Sequence, residues 1–272
     1  MEMLDFAFNG GETMMRSGLL RRTGIAAAIF VLVVAAAYWH LGVGALAAQP
    51  RLTGAVTRES VAVKGQQRSF ILYVPRNPKP NAPLLFVFHG SGGDGESTRE
   101  VMGYEFDRLA DANGFIVAYP DGYQTTWNDC RKDSPQPARR ANIDDESFVE
   151  AMIAKEAADH GIDTKRVFAA GHSNGAQLSY RLAMERPNEF AGIAAISASV
   201  PTAENMACRP SNAAMPVMVI NGTEDPINPF DGGAVMLGFT SLGTVLSTRG
   251  TAEYFAKLNG QTAPPQDRAA AA

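Results

Sequence analysis

From residue 70 to residue 258 the chain alternates short apolar runs with longer stretches in which apolar residues return at helical spacing. Phe70-Ile71-Leu72-Tyr73-Val74 predicts a strand, and a proline-rich connection leads to a second at Leu84-Leu85-Phe86-Val87-Phe88. That second run is apolar throughout, the pattern of a strand buried on both faces. A helix follows over 101–113, a strand over 115–119, a loop, then a helix over 147–160. A strand over 167–170 runs into a helix over 175–184, and strands over 191–198 and 217–220 precede a last helix over 251–258. This alternation predicts an α/β fold, a mostly parallel sheet with helices on both faces.

The N-terminal region is patterned differently. An Ala- and Val-rich stretch over 24–48, interrupted by His40, follows Arg16, Arg21 and Arg22 and ends in Ala45-Leu46-Ala47-Ala48. This is the pattern of an export signal with an A-x-A cleavage site. It is also long enough to span a bilayer, so an uncleaved anchor is the alternative. Either way the remainder faces outside the cytoplasm: secreted or periplasmic in the first case, membrane-anchored in the second. The division expected is 1–48 for the extension and 49–272 for one catalytic domain. Acidic Glu2, Asp5 and Glu12 do not suit a signal, which points to translation beginning at Met14 or Met15.

Composition narrows the function. With 46% hydrophobic residues in 272, the chain has enough material for a substantial core. A net charge of −4, without a long basic stripe, gives nucleic-acid binding no support. Neither a metal-ligand cluster nor a dinucleotide fingerprint appears, and the chemistry read below requires no cofactor. Cys130 and Cys208 are the only two cysteines. In an exported protein one disulfide is the simple reading, two separate cysteines the other, because sequence does not supply the separation of their Cα atoms.

Gly171-His172-Ser173-Asn174-Gly175 directly follows the apolar run Val167-Phe168-Ala169-Ala170. A G-x-S-x-G match alone is weak, arising by chance in about one chain in ten of this length. Its position between a buried strand and a helix start is what a nucleophile elbow needs, the alternative being a helix-capping serine in a glycine-rich turn. Ester hydrolysis requires a nucleophile, a base, an orienting acid and donors for the oxyanion. Ser173 is the expected nucleophile. The backbone N–H groups of Asn174 and of Ser91, in His89-Gly90-Ser91-Gly92-Gly93, are the expected oxyanion donors. Asp225, after the strand over 217–220, is the expected acid, with Glu224 and Asp231 nearby.

The base is the gap. Histidines stand at 40, 89, 160 and 172, and none follows Ser173, whereas the elbow architecture supplies Ser, acid and His in that order. His172 reads as an elbow residue, His89 as a brace for its glycine loop, and His160 as a surface group at a helix C-terminus.

Taken together, these residues resemble the polyhydroxybutyrate depolymerase-like esterases, the α/β-hydrolase group that includes feruloyl and acetyl-xylan esterases. The resemblance spans about 69–260. It rests on the 89–93 and 171–175 motifs, Trp127-Asn128-Asp129, Asp144-Asp145, Asn221-Gly222-Thr223-Glu224-Asp225-Pro226 and Pro229-Phe230-Asp231-Gly232-Gly233. It implies Ser173 as nucleophile, Asp225 as acid, Trp127 near the substrate cleft, and hydroxyalkanoate or acylated plant-wall esters as substrates. It also implies a closing histidine in a further strand and helix, which this sequence lacks, so a C-terminally truncated domain with an uncovered sheet edge is expected. A hydrolase-like binding protein without turnover is the competing expectation.

Overall fold

The computed structural model describes residues 49–261, so the export or anchor reading, the alternative start and the end of the tail lie outside the described residues. No helix among the described residues is long and apolar enough to cross a membrane.

Among the described residues, nine strands and six α-helices follow one another. The strands are β1 (Ala55–Val63), β2 (Gln66–Val74), β3 (Leu84–Phe88), β4 (Ile116–Pro120), β5 (Val167–His172), β6 (Gly192–Ile196), β7 (Val217–Ile220), β8 (Gly233–Leu237) and β9 (Thr240–Val245). The helices are α1 (Gly95–Val101), α2 (Glu105–Asn113), α3 (Pro137–Arg140), α4 (Asp145–His160), α5 (Asn174–Glu185) and α6 (Thr248–Leu258). Seven strands form one sheet in the order β1-β2-β4-β3-β5-β6-β7. β1 and β2 are antiparallel to their neighbours, and every pairing from β4 through β7 is parallel. The fold is the mostly parallel α/β sheet that the pattern of apolar runs predicts.

Side-chain alternation along β2 shows why both faces are filled. Phe70 and Leu72 enter the larger core, with Phe86, Phe88, Phe148, Leu178 and Phe255, while Ile71 and Tyr73 enter the smaller one with Val87, Val117 and Tyr119. A strand that feeds two cores has no polar side to show, hence its unbroken apolar run.

Several elements differ from expectation. The helix expected over 101–113 is two helices, because Gly103 (φ 63°) and Tyr104 (φ 58°) turn left-handed between them. Arg99 holds that break: it pairs with the buried Asp107 at 2.8 Å and lies 5.4 Å from the Tyr104 ring centroid. β1 escapes notice because it is a polar edge strand, largely exposed, and sheet pairing rather than an apolar pattern forms it. The β8–β9 hairpin lies outside the main sheet and carries its own small core of Val235, Leu242 and Val245.

β7 is the other edge. Among the described residues it pairs with β6 alone, and Met218 and Ile220 on it are 60% and 48% exposed. An apolar groove of about 640 Å³ beside it is lined by Leu85, Phe106, Phe168, Ile193 and Met218, among others.

Candidate active site

Strand β5 ends one residue before Ser173, and α5 begins one residue after it. The turn is sharp enough that Ser173 takes φ 53° and ψ −114°, a conformation that strains a side-chain-bearing residue. Glycines two residues to either side permit it. A Cβ on Gly171 would lie 2.2 Å from the Gly175 carbonyl oxygen, and one on Gly175 would lie 2.4 Å from that of Phe88. The helix start is therefore pressed against the end of β3, and Ser173 is lifted between them. Its own N–H is bonded to the Ile196 carbonyl of β6 at 2.8 Å.

The loop after β3 meets the same point. A Cβ on Gly90 would come within 2.9 Å of His172 Nδ1 and 3.4 Å of Ser173 Cβ, so this loop lies directly against the elbow. His89 shapes it. Gly122 N–H donates to His89 Nε2 at 2.8 Å, which leaves Nδ1 carrying the proton and donating to the Gly90 carbonyl at 2.7 Å. Gly93 N–H donates to that same carbonyl. Burial holds the imidazole below its ordinary pKa, which keeps it neutral and in this tautomer. Because a trans peptide sets C=O and N–H in opposite directions, fixing the Gly90 carbonyl also fixes where the Ser91 N–H points, away from His89. The Ser91 hydroxyl accepts from Gln136 Nε2.

Ser91 and Ser173 open onto one cavity of about 290 Å³. His89, Gly90, His172 and Arg131 line it on the polar side, and Val101, Met102, Ile227, Val235, Leu237 and Leu242 supply an apolar wall. The expected site residues are not all on this surface. Trp127 lies one layer behind it: its ring is fully buried, in edge contact with Phe88, and its Nε1 donates to the His89 carbonyl at 2.9 Å. Asp225 sits at the end of the β7 loop, where its Oδ1 accepts the N–H groups of Ile227 and Asn228, both at 2.9 Å. Its charge bears on His172, opposing the desolvation that lowers the His172 pKa. His160 is exposed at the C-terminal end of α4, its Nε2 3.6 Å from Glu156.

Cys130 and Cys208 form a disulfide with Cα atoms 4.9 Å apart. It ties the loop after β4 to the loop after β6, and backbone bonds continue the seam: Ala207 N–H to the Cys130 carbonyl and Lys132 N–H to that of Asn205. Asn205 extends it to the hairpin, donating to the Thr244 carbonyl at 3.0 Å. Sequence reasoning did not single out Asn205, Gln136 or Arg131; their type is unremarkable, and only the folded loops bring them to the cleft.

A family model described as phospholipase/carboxylesterase matches residues 71–241. NocK of Nocardia uniformis subsp. tsuyamanensis, an esterase by assignment, is 31% identical over 78% of this chain and 62% of its own. The bifunctional acetylxylan esterase/xylanase XynS20E of Neocallimastix patriciarum is 29% identical over 60% of this chain and 22% of its own. Feruloyl esterase C of Emericella nidulans is 28% identical over 69% and 64%. The chain thus spans less than two thirds of each of these relatives. Among solved structures, native pOPH superposes with a TM-score of 0.57 at 18% identity, covering 80% of both chains. A thermostable esterase gives 0.53 at 18% identity, covering 77% of this chain and 53% of its own. At such identities these two likenesses speak for the fold.

Proposed function

This chain belongs to the phospholipase/carboxylesterase family, and from that premise we propose that it is an exported serine carboxylic-ester hydrolase acting through an acyl-enzyme on Ser173. One observation carries the reading: Ser173, held in a strained turn at the start of a helix, shares a cavity with the loop of Gly90 and Ser91. The Ser173 oxygen attacks the ester carbonyl carbon, its proton passes to a base, and the alcohol departs protonated. Water then cleaves the acyl-enzyme and restores the serine. Negative charge on the carbonyl oxygen is met by the N–H groups of Asn174 and Ser91. Asn174 is the first residue of α5, so its N–H has no partner within the helix and lies at the positive end of the helix dipole.

Asp225 is the orienting acid in this scheme, fixed by its two backbone donors. Among the described residues, no histidine is placed as the base of this scheme. His89 has both ring nitrogens engaged, His160 sits at the end of α4, and His172 adjoins the nucleophile on the strand. The substrate class we assign is an ester with an apolar acyl or aryl-acyl group, of the hydroxyalkanoate or acylated plant-wall kind. The apolar wall of the cavity and the feruloyl and acetylxylan names of the relatives support it. Export is supported by the apolar stretch over 24–48 and by the disulfide.

Imidazole tests the reading, because a small base entering the cleft can take the Ser173 proton. Hydrolysis of p-nitrophenyl butyrate is expected to rise with imidazole in the unmodified protein beyond the rise in Ser173→Ala, which keeps only the uncatalysed background. Equal rates in the two proteins would remove Ser173 from the mechanism. They would favour the second reading, a hydrolase-like binding protein.

A further inference from the structure

Both oxyanion donors of the proposed mechanism hang from one short buried segment. The Trp127 indole N–H donates to the His89 carbonyl at 2.9 Å, gripping the loop that carries Ser91 at its first residue. The Trp127 backbone N–H donates to Asn174 Oδ1 at 2.7 Å, and Asn174 Nδ2 donates to Asp129 Oδ2 at 2.6 Å and to the Trp127 carbonyl at 3.3 Å. All four residues are at most 1% exposed. An amide bound at both ends cannot rotate without breaking these three buried hydrogen bonds, so the first turn of α5 is fastened to the segment as firmly as the glycine loop is.

The far end of the segment is fastened as well. Arg131 pairs with Asp129, Nη2 to Oδ2 at 2.6 Å, and its backbone N–H donates to Asp129 Oδ1 at 2.8 Å. Asn128 N–H donates to Asp145 Oδ2 at 2.7 Å, at the start of α4. Between Asp129 and Arg131 stands Cys130, bridged to the loop after β6. These bonds exceed what burying one indole requires. Their common effect is to fix the distance between the Ser91 and Asn174 N–H groups, and a developing oxyanion is stabilised only by donors already at the right spacing.

Building on the nucleophile and donors assigned above, we propose that Trp127 and Asp129 are positioning residues of the oxyanion hole, Trp127 acting through His89 and Asp129 through the Asn174 side chain. Trp127 then serves catalysis from behind the cavity rather than by touching substrate.

Phenylboronic acid provides a test that requires no triad base. The Ser173 oxygen forms a bond to boron as the hydroxyl proton leaves to solvent, and the tetrahedral adduct places an oxygen where the oxyanion develops. Its affinity and ¹¹B resonance report the donors directly. Trp127→Phe keeps an aromatic ring and removes the N–H; Asn174→Ala removes the clamp while leaving the Asp129–Arg131 pair and the backbone N–H in place. Each is expected to weaken the boronate at least tenfold while KM for p-nitrophenyl butyrate in the imidazole assay stays within about twofold. Asp129→Ala follows the same split if it folds, and Asn174→Ala carries the test if it does not. Wild-type boronate affinity in both Trp127→Phe and Asn174→Ala, with only melting temperature lowered, overturns the positioning role and leaves the nucleophile standing. A tetrahedral ¹¹B signal that is absent, or that persists unchanged in Ser173→Ala, overturns the nucleophile reading and the positioning role with it.

Discussion

Gly175 packs so closely on Phe88 that any Cβ at this position would lie 2.4 Å from the Phe88 carbonyl oxygen and 2.6 Å from that of His89. Both obstacles are backbone, so no side chain can swing aside. Gly175→Ala must push α5 away from β3 and carry Ser173 with it. The expected cost is about 3 kcal/mol or more in urea unfolding, with loss of the imidazole-assisted esterase rate. Gly222→Ala is the matched control: its nearest neighbour would be 3.9 Å away, and stability is expected to change by less than about 0.5 kcal/mol.

The disulfide closes a span of 78 residues that includes the elbow. Cross-linking so long a loop restricts the unfolded chain by about 4 kcal/mol, and replacing both cysteines by alanine is expected to lower stability by about that amount. The same replacement frees Asp129 and the loop after β6 from each other. Boronate affinity is therefore expected to fall with stability in the double variant, whereas a brace remote from the site would leave the affinity of the folded protein unchanged.

Glu156 on α4 is fully buried, and neither carboxylate oxygen has a hydrogen-bond partner. Desolvation first, then the charge of Glu59 on β1 and of Asp159, push its pKa from an ordinary 4.5 up to about 7, against the pull of Lys155. His160 Nε2 lies 3.6 Å away. Below pH 4.5 the group is protonated folded or unfolded and contributes nothing. Between about 4.5 and 7 the unfolded chain releases the proton that the folded chain keeps, so stability falls as pH rises, by an amount on the order of 3 kcal/mol. Glu156→Gln is expected to flatten this decline and to exceed the unmodified protein in stability above pH 7. Glu189, likewise raised to about 7, and His89 and His172, shifted downward, also titrate, so the difference between the two proteins is the quantity to read. Parallel pH curves would mean that Glu156 is solvated or paired in solution.

Much of this architecture is legible in residue pattern alone. Strands such as β3 are written as continuous apolar runs because two cores press on them, and the elbow is written as glycines at 171 and 175 because backbone occupies the space of their side chains. β1 is illegible because its structure comes from pairing with β2, a contact the local sequence does not encode. The break at Tyr104 is hidden because Arg99 and Asp107, eight residues apart, decide it. In the candidate site, order along the chain points to Ser173 and Asp225, and of these Ser173 lines the cavity. Asn174, by contrast, could be read for its backbone N–H but not for the side-chain clamp, since Trp127 and Asp129 are more than forty residues away.

The apolar wall of the cavity makes substrate length the sharpest remaining question. Leu237 lines it from the hairpin and is 45% exposed, so Leu237→Asp replaces apolar surface at the cleft without opening the core. A hexanoyl chain that rests on this wall loses the burial of about two methylenes, ~1.5 kcal/mol, or roughly tenfold in kcat/KM. An acetyl group has no methylene to bury there. In the imidazole assay, Leu237→Asp is expected to lower kcat/KM for p-nitrophenyl hexanoate about tenfold and for the acetate by less than about twofold. An equal loss on both esters would place the acyl chain elsewhere and turn the apolar wall toward the alcohol portion of the substrate.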